Sequence, residues 1–204
     1  ATEIRRRILM AFEKAETSID PKEREALLTF VIVGGGPTGL ELSGSIAELA
    51  KVTLSKDFRH IDPGQTKVIL IEGSKRLVSA FNEKLSLAAK KSLEQMGVQV
   101  RVETRVTEIT ELGVKIGNEF IHSRTVLWAA GVATNPIAET LPGEKDRAKR
   151  VIVPSDLSIP NHPNIFVLGD MAAVQDKGET LPGLAPVAIQ EGIHTAKNIL
   201  REIK

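Results

Sequence analysis

Apolar residues recur at helical spacing from the start of the chain. Ile4, Ile8, Leu9, Phe12 and Ala15 fall every three or four positions among charged neighbours, which predicts an amphipathic helix. Arg5, Arg6 and Arg7 on its polar side read as a solvated face. Asp20 followed by Pro21 marks a second helix, with the aspartate as N-cap and the proline in the first turn. The pattern then changes. "TFVIV" (29–33) is a short, continuous apolar run rich in β-branched residues, as expected of a strand buried on both faces. "KVILIE" (67–72), "TVLWAAG" (125–131) and "NIFVLGD" (164–170) read in the same way, the last ending in an aspartate. Between the first two, Leu40, Leu42, Ile46, Ala47 and Leu49 continue as a helix, followed by a polar insertion, "VTLSKDFRHIDPGQ". Residues 83–96 predict an amphipathic helix that stops at Gly97. Residues 106–123 read as short antiparallel strands turning at Gly113 and at Gly117–Asn118. The stretch 142–150 is a charged loop, and a helix closes the chain. Buried strands alternating with helices predict an α/β fold with a parallel sheet and a small antiparallel meander.

The first buried strand runs straight into glycines: "FVIVGGGPTGLE" spans Phe30 to Glu41. Strand, Gly34-x-Gly36-x-x-Gly39, then helix is the order that a Rossmann-like dinucleotide site requires. The first glycine permits a tight turn, the second lets a diphosphate approach the backbone, and the third lets helix and strand pack closely. The helix N-terminus then offers free N–H groups and partial positive charge to the phosphates. Pro37 fits a first turn that needs no N–H partner, and Thr38 belongs to the same phosphate-facing stretch. The spacing by itself also fits a structural turn; the flanking strand and helix give it weight. A second requirement is an acidic residue at the end of the next strand for the adenosine ribose. Glu72 ends "KVILIE", although the gap from Gly34 is nearly twice the usual ~20 residues because of the insertion. A carboxylate there disfavours the 2′-phosphate of NADP, so NADH is the expected nucleotide. Lys75 and Arg76 close by leave NADP open, as does reading Glu72 as a strand-end surface carboxylate.

Charge and composition narrow the rest. The 27 basic and 26 acidic residues leave a net charge of +1, which argues against nucleic acid or an acidic membrane as partner. The absence of cysteine excludes a disulfide, a thiolate metal site and a redox dithiol within these residues. His60, His122, His162 and His194 are scattered without companion ligands, so no metal site is expected. No long apolar run and no signal-like N-terminus is present, which makes a cytoplasmic location the default.

"LLTFVIVGGGPTGLELSGSIAEL", "VLWAAGVATNP", "NIFVLGD" and "LPGLAPVAIQEG" occur in the order found in the type II NADH:quinone oxidoreductases, and "RRRILMAFEKAE" resembles the helix before that family's NADH domain. These are flavoproteins with two dinucleotide-binding domains. The resemblance implies a chain that passes a hydride from NADH to FAD and electrons on to a quinone. It implies NADH contacts from Gly34, Gly36, Gly39, Glu72, Ala130 and Gly131, with Glu41 near the nicotinamide and flavin. Glu41 also reads as a carboxylate in the helix's first turn, complementing its dipole. Gly169 and Asp170 resemble the flavin-binding turn. Ala188 and Gln190 resemble part of a quinone-side Ala-Gln-x-x-Gln motif whose first glutamine is here Pro186, so a non-quinone acceptor stays open. The family uses two glycine fingerprints and this chain carries one. The expected division is therefore a helical lead-in (1–28), an NADH domain (29–140) and the second half of an incomplete FAD-type domain (141–204). FAD is expected only in the full-length protein, with an apolar face of residues 164–169 left uncovered here. Membrane attachment at the inner face is expected only through a C-terminal segment missing here, and a homo-oligomer is compatible with the family. A nucleotide-binding module without turnover is the competing reading.

Overall fold

In the computed structural model, which describes residues 2–176 and 178–203, the helical spacing at the start of the chain becomes α1 (Thr2–Thr17). Its Ile8, Ala11, Phe12 and Ala15 are buried. The second helix, α2 (Pro21–Leu27), is capped as its sequence predicts: the Asp20 side chain accepts from the Lys22 N–H at 2.9 Å. β1 (Thr29–Val33) is buried at every position. α3 (Pro37–Glu48), β2 (Lys67–Ile71), α4 (Glu83–Gln95) and β3 (Val98–Arg101) follow, then a meander of β4 (Glu108–Thr110), β5 (Gly113–Ile116) and β6 (Glu119–His122), and then β7 (Thr125–Trp128). The four-stranded sheet has the order β3-β2-β1-β7, and every pairing in it is parallel.

Both faces of that sheet are covered, which is why its strands read as unbroken apolar runs. On one side Phe30, Ile32, Val68 and Leu70 pack with residues of α1, α3 and α4. On the other, Val31, Val33, Ile69 and Ile71 pack with Val114 and Ile121 of the meander. The first helix is thus part of this unit's core rather than a separate lead-in. The insertion is not a bare polar loop either. After a π-helical segment, Leu49–Thr53, it docks on α1 through Phe58, whose ring lies 6.0 Å from that of Phe12. The Glu16 carboxylate fastens it by accepting from the backbone N–H groups of Arg59, His60 and Ile61 at 3.0–3.2 Å and pairing with His60 Nδ1 at 2.8 Å.

The chain divides into two units, Ala1–Gly131 and Val132–Lys204. Residues 132–140, expected with the first unit, belong to the second, because Ala138 of α5 (Ile137–Thr140) is buried against Val151, Val153 and Ile159. The second unit contains β8 (Val151–Val153), β9 (Ser158–Ile159), β10 (His162–Phe166), β11 (Ala172–Asp176), β12 (Glu179–Thr180) and α6 (Ala185–Glu202). β8 pairs in parallel with β11, which also pairs with β12; β9 and β10 form a separate pair. The expected strand over 164–170 ends at Phe166. Gly169 has φ 66°, outside the strand region, and Asp170 sits in a 3₁₀ turn, Gly169–Met171. Of the apolar residues in 164–169, Val167 is buried in this unit's core, whereas Ile165, Phe166 and Leu168 are only half-buried. More exposed apolar side chains fall on α6, at Ile189, Ile193 and Leu200. Among the described residues, no helix is long and apolar enough to cross a membrane.

The Glu16 clasp makes the insertion's docking pH-sensitive. Burial alone pushes its carboxyl up, but the hydrogen bonds from Arg59 and His60 outweigh it and hold the group below its ordinary value. A carboxylate held low stabilises the fold above its unfolded pKa, about 4.3, and loses that contribution as pH falls through the lower folded value. Glu16→Gln is expected to lower the thermal midpoint by a few degrees at pH 7, and the difference is expected to close as the pH approaches 3. Scanning fluorimetry of both proteins across that range checks it; equal midpoints at pH 7 would show that the clasp carries no stability.

Candidate functional site

The glycines after β1 differ in what they are for. A Cβ at Gly39 would lie 1.8 Å from the Gly34 carbonyl oxygen, so α3 crosses the end of β1 at a distance only glycine allows. Gly34 has φ 114°, and a Cβ there would meet the Ala129 carbonyl carbon at 2.5 Å. Gly35 is closed as well, by Leu77 at 2.6 Å and Glu72 at 2.9 Å. Gly36 is the exception. No atom lies within 4 Å of its added Cβ, so nothing in the packing requires a glycine there. Gly36 is the N-cap of α3 and makes no side-chain cap, Pro37 holds the first position, and Thr38 is exposed. The free N–H groups of the first turn therefore open onto the empty space above Gly36.

Glu72, directly after β2, faces this loop. Its Oε2 accepts from the Gly35 N–H at 2.6 Å and its Oε1 from the Ser74 N–H at 2.6 Å. Burial alone pushes the carboxyl up; the bonds from Ser74 and Gly35 win, leaving the group below its usual range and ionised at neutral pH. The Ser74 hydroxyl and the Gly73 N–H also bear on the carboxylate. Glu72, Gly34 and Ala130 border a recess of about 430 Å³ with Ser74, Arg105 and Trp128. Gly131 follows with φ 95°. A larger recess of about 690 Å³ lies where β1 and β2 begin. Three of its cations are already matched by its own carboxylates: Lys67 to Glu25 at 2.6 Å, Arg101 to Glu119 at 2.8 Å and Arg124 to Glu23 at 2.5 Å. These pairs tie the meander to the sheet and to α2.

Gly34, Gly36, Pro37, Thr38, Gly39, Glu72, Ala130 and Gly131 thus gather at one edge of the first unit. Glu41 does not sit in the first turn of α3. With Pro37 at the start it falls one turn further on, exposed, and that first turn holds no acid. Gly169, Asp170, Ala188 and Gln190 belong to the second unit. There a Cβ at Gly169 would come 3.5 Å from Ala188 Cβ, which brings the turn against α6. Gln190 is exposed and its Nε2 donates to the Pro186 carbonyl of its own helix at 3.1 Å. Its neighbour Glu191, passed over in the sequence, is buried and accepts from the Gly169 N–H at 2.6 Å. The available signal was its spacing: Glu191 lies three positions after Ala188 and four before Thr195, on the helix face turned inward. Ser74, Arg105 and Trp128 were also passed over, because they reach the recess from separate segments. Among the described residues no cluster of His, Asp or Glu could hold a metal ion.

The chain is similar to known proteins. The profile of the family described as pyridine nucleotide-disulphide oxidoreductase matches residues 4–192. The type II NADH:quinone oxidoreductases Ndh and NdhA of Mycobacterium tuberculosis are 43% and 44% identical over the whole of this chain. A probable NADH dehydrogenase of Dictyostelium discoideum is 35% identical over 97% of it. The chain spans 45%, 44% and 44% of those three relatives. In structure it is similar to NDH2 from Plasmodium falciparum, solved in complex with NADH, with a TM-score of 0.74 and 24% identity over 86% of this chain and 38% of that one. With the fold, the glycine loop and the sequence agreeing, the chain belongs to the pyridine nucleotide-disulphide oxidoreductase family.

Proposed function

We propose that the first unit binds NADH along the N-terminus of α3, and that the full-length protein is a type II NADH dehydrogenase passing electrons through FAD to a quinone. One observation carries the nucleotide reading. Gly36 is the one glycine of the loop that the packing does not require, and it lies under open space at a free helix N-terminus. A diphosphate explains both facts: it needs a bare backbone and positive partial charge at the same point. The Glu72 carboxylate, an acceptor beside the recess, suits the 2′- and 3′-hydroxyls of the adenosine ribose, and its charge opposes a 2′-phosphate. Ala130 and Gly131 supply a further wall. The relatives named as NADH:quinone oxidoreductases support the donor and the acceptor. Because quinones dissolve in lipid, the same reading puts the full-length protein at a membrane surface.

FAD, when bound, takes the hydride and hands the electron pair to the acceptor. The residues of this chain fit one edge of such a group. Asp170 borders, with Gly183 and Glu191, a recess of only about 10 Å³, room for a water molecule and not for a flavin. The chain carries a single strand–glycine–helix fingerprint, and that one is assigned to NADH. A related flavoprotein reductase with a different acceptor is the second reading. Pro186 favours it, since it stands where an amide is expected and the Gln190 amide is bonded back to its carbonyl.

Gly36→Val is expected to abolish NADH binding while shifting stability by no more than about 1 kcal/mol, the scale of an N-cap change. Gly39→Val is expected to unfold the unit through the clash with the Gly34 carbonyl. Calorimetry and circular dichroism on both variants separate the two roles, and normal NADH binding by Gly36→Val would end the diphosphate reading. NADH is expected to bind at least about tenfold more tightly than NADPH, a difference of ~1.4 kcal/mol. Glu72→Ala should narrow that gap, and parity in the unchanged protein would remove the role given to Glu72. Finally, the 204-residue chain alone is expected not to retain FAD; stoichiometric flavin absorbance after purification would refute this.

A further inference from the structure

Two side chains in the recess beside Glu72 have no part in the reading so far. Trp128 ends β7 and is 62% exposed, far more than a large aromatic at the end of a buried strand ordinarily is. Its direction follows from the strand. Leu127 packs on the helix side of the sheet and Val126 on the meander side, so alternation turns the indole toward the meander side, where the recess opens. Arg105 comes from the segment between β3 and β4. Its Cγ and Nε lie 3.4 and 3.6 Å from where a Cβ at Gly73 would be, so the stem runs across the bare backbone of the turn that follows β2. Arg105 enters no ion pair among the described residues, is exposed, and lines the recess.

Strand order sets the spacing between them. β1 lies between β2 and β7, so the turn after β2 and the end of β7 are two strand spacings apart, about 10 Å. A flat ring held between two flat groups needs about 7 Å, twice a carbon contact distance. The side chains must lean inward by only a few ångströms to meet it. An indole and a guanidinium are the two side-chain groups best suited to stack on an electron-rich heterocycle. The recess also adjoins Glu72, so a ribose on the carboxylate would carry its base into it.

We propose that Trp128 and Arg105 clamp the adenine ring from its two faces, making this recess the base-binding end of the nucleotide site. The proposal rests on the dinucleotide reading and adds to it the residues that select the base. On this assignment both residues act at the adenosine end, so their effect falls on affinity for anything carrying adenosine.

Trp128 is the only tryptophan in the chain, so its emission reports on the recess alone. Titrating the 204-residue chain with 5′-AMP is expected to quench that emission saturably. Ribose 5-phosphate and nicotinamide mononucleotide, which lack the base, are expected to leave it unchanged. By calorimetry, Trp128→Ala should weaken both AMP and NADH about tenfold, within the range for loss of one base–aromatic stack. Trp128→Phe should recover most of that loss. Arg105→Ala should weaken both ligands severalfold, and Arg105→Lys should not restore them, because the ammonium keeps the charge and loses the flat face. Both side chains are exposed, and circular dichroism of each variant separates misfolding from lost binding. If NADH binds but AMP leaves the emission unchanged and Trp128→Ala binds NADH as tightly as the unchanged chain, the clamp is overturned and the dinucleotide reading survives. If NADH itself fails to bind, both fall together.

Discussion

Everything at the nucleotide edge depends on how closely α3 crosses the end of β1. The Gly39 α-carbon lies against the Gly34 carbonyl, where a methyl group would sit 1.8 Å from oxygen. That contact fixes where the helix begins and therefore where its free N–H groups point. It also fixes the loop that bridges strand and helix, so that the Gly35 N–H meets the Glu72 carboxylate arriving from β2. A longer crossing distance would lose the hydrogen bond, the direction of the helix end and the open space over Gly36 together. The buried parallel sheet provides the rigidity that makes such a contact tolerable.

Much of this was legible in the sequence because it is local. Unbroken apolar runs gave the sheet, the glycine spacing gave the loop, and turns at Gly113 and Gly117 gave the meander. What escaped was set by contacts between distant segments. Gly35 falls on a position that the fingerprint leaves free, and its need for glycine comes from Leu77 and Glu72. The insertion looked like a polar loop because its anchors, Phe58 and the N–H groups that Glu16 collects, have meaning only against α1. Glu41 was misplaced by one turn because the helix starts at Pro37, before the last glycine of the fingerprint, rather than after Gly39.

The second unit was harder to read for a different reason. Its strands are short, as little as two residues, so periodicity has no room to establish itself. In α6 the usual inference from hydrophobicity fails outright. The face turned inward carries Glu191 and Thr195, while Ile189, Ile193 and Leu200 point away from the unit. A pattern of apolar positions locates a helix but does not by itself say which face its own unit buries.

Glu72 gives the first unit an unusual kind of economy. Its two oxygens already hold the backbone of the glycine loop and of the turn after β2 before any ligand arrives. On the nucleotide reading proposed above, the carboxylate that recognises the ribose is held in position by the same loop that receives the phosphates. Recognition and loop order are consequently one trait rather than two. A change at this position made to broaden cofactor use would also loosen the cradle, so cofactor preference here is free to drift only when some other group takes over the two backbone N–H bonds.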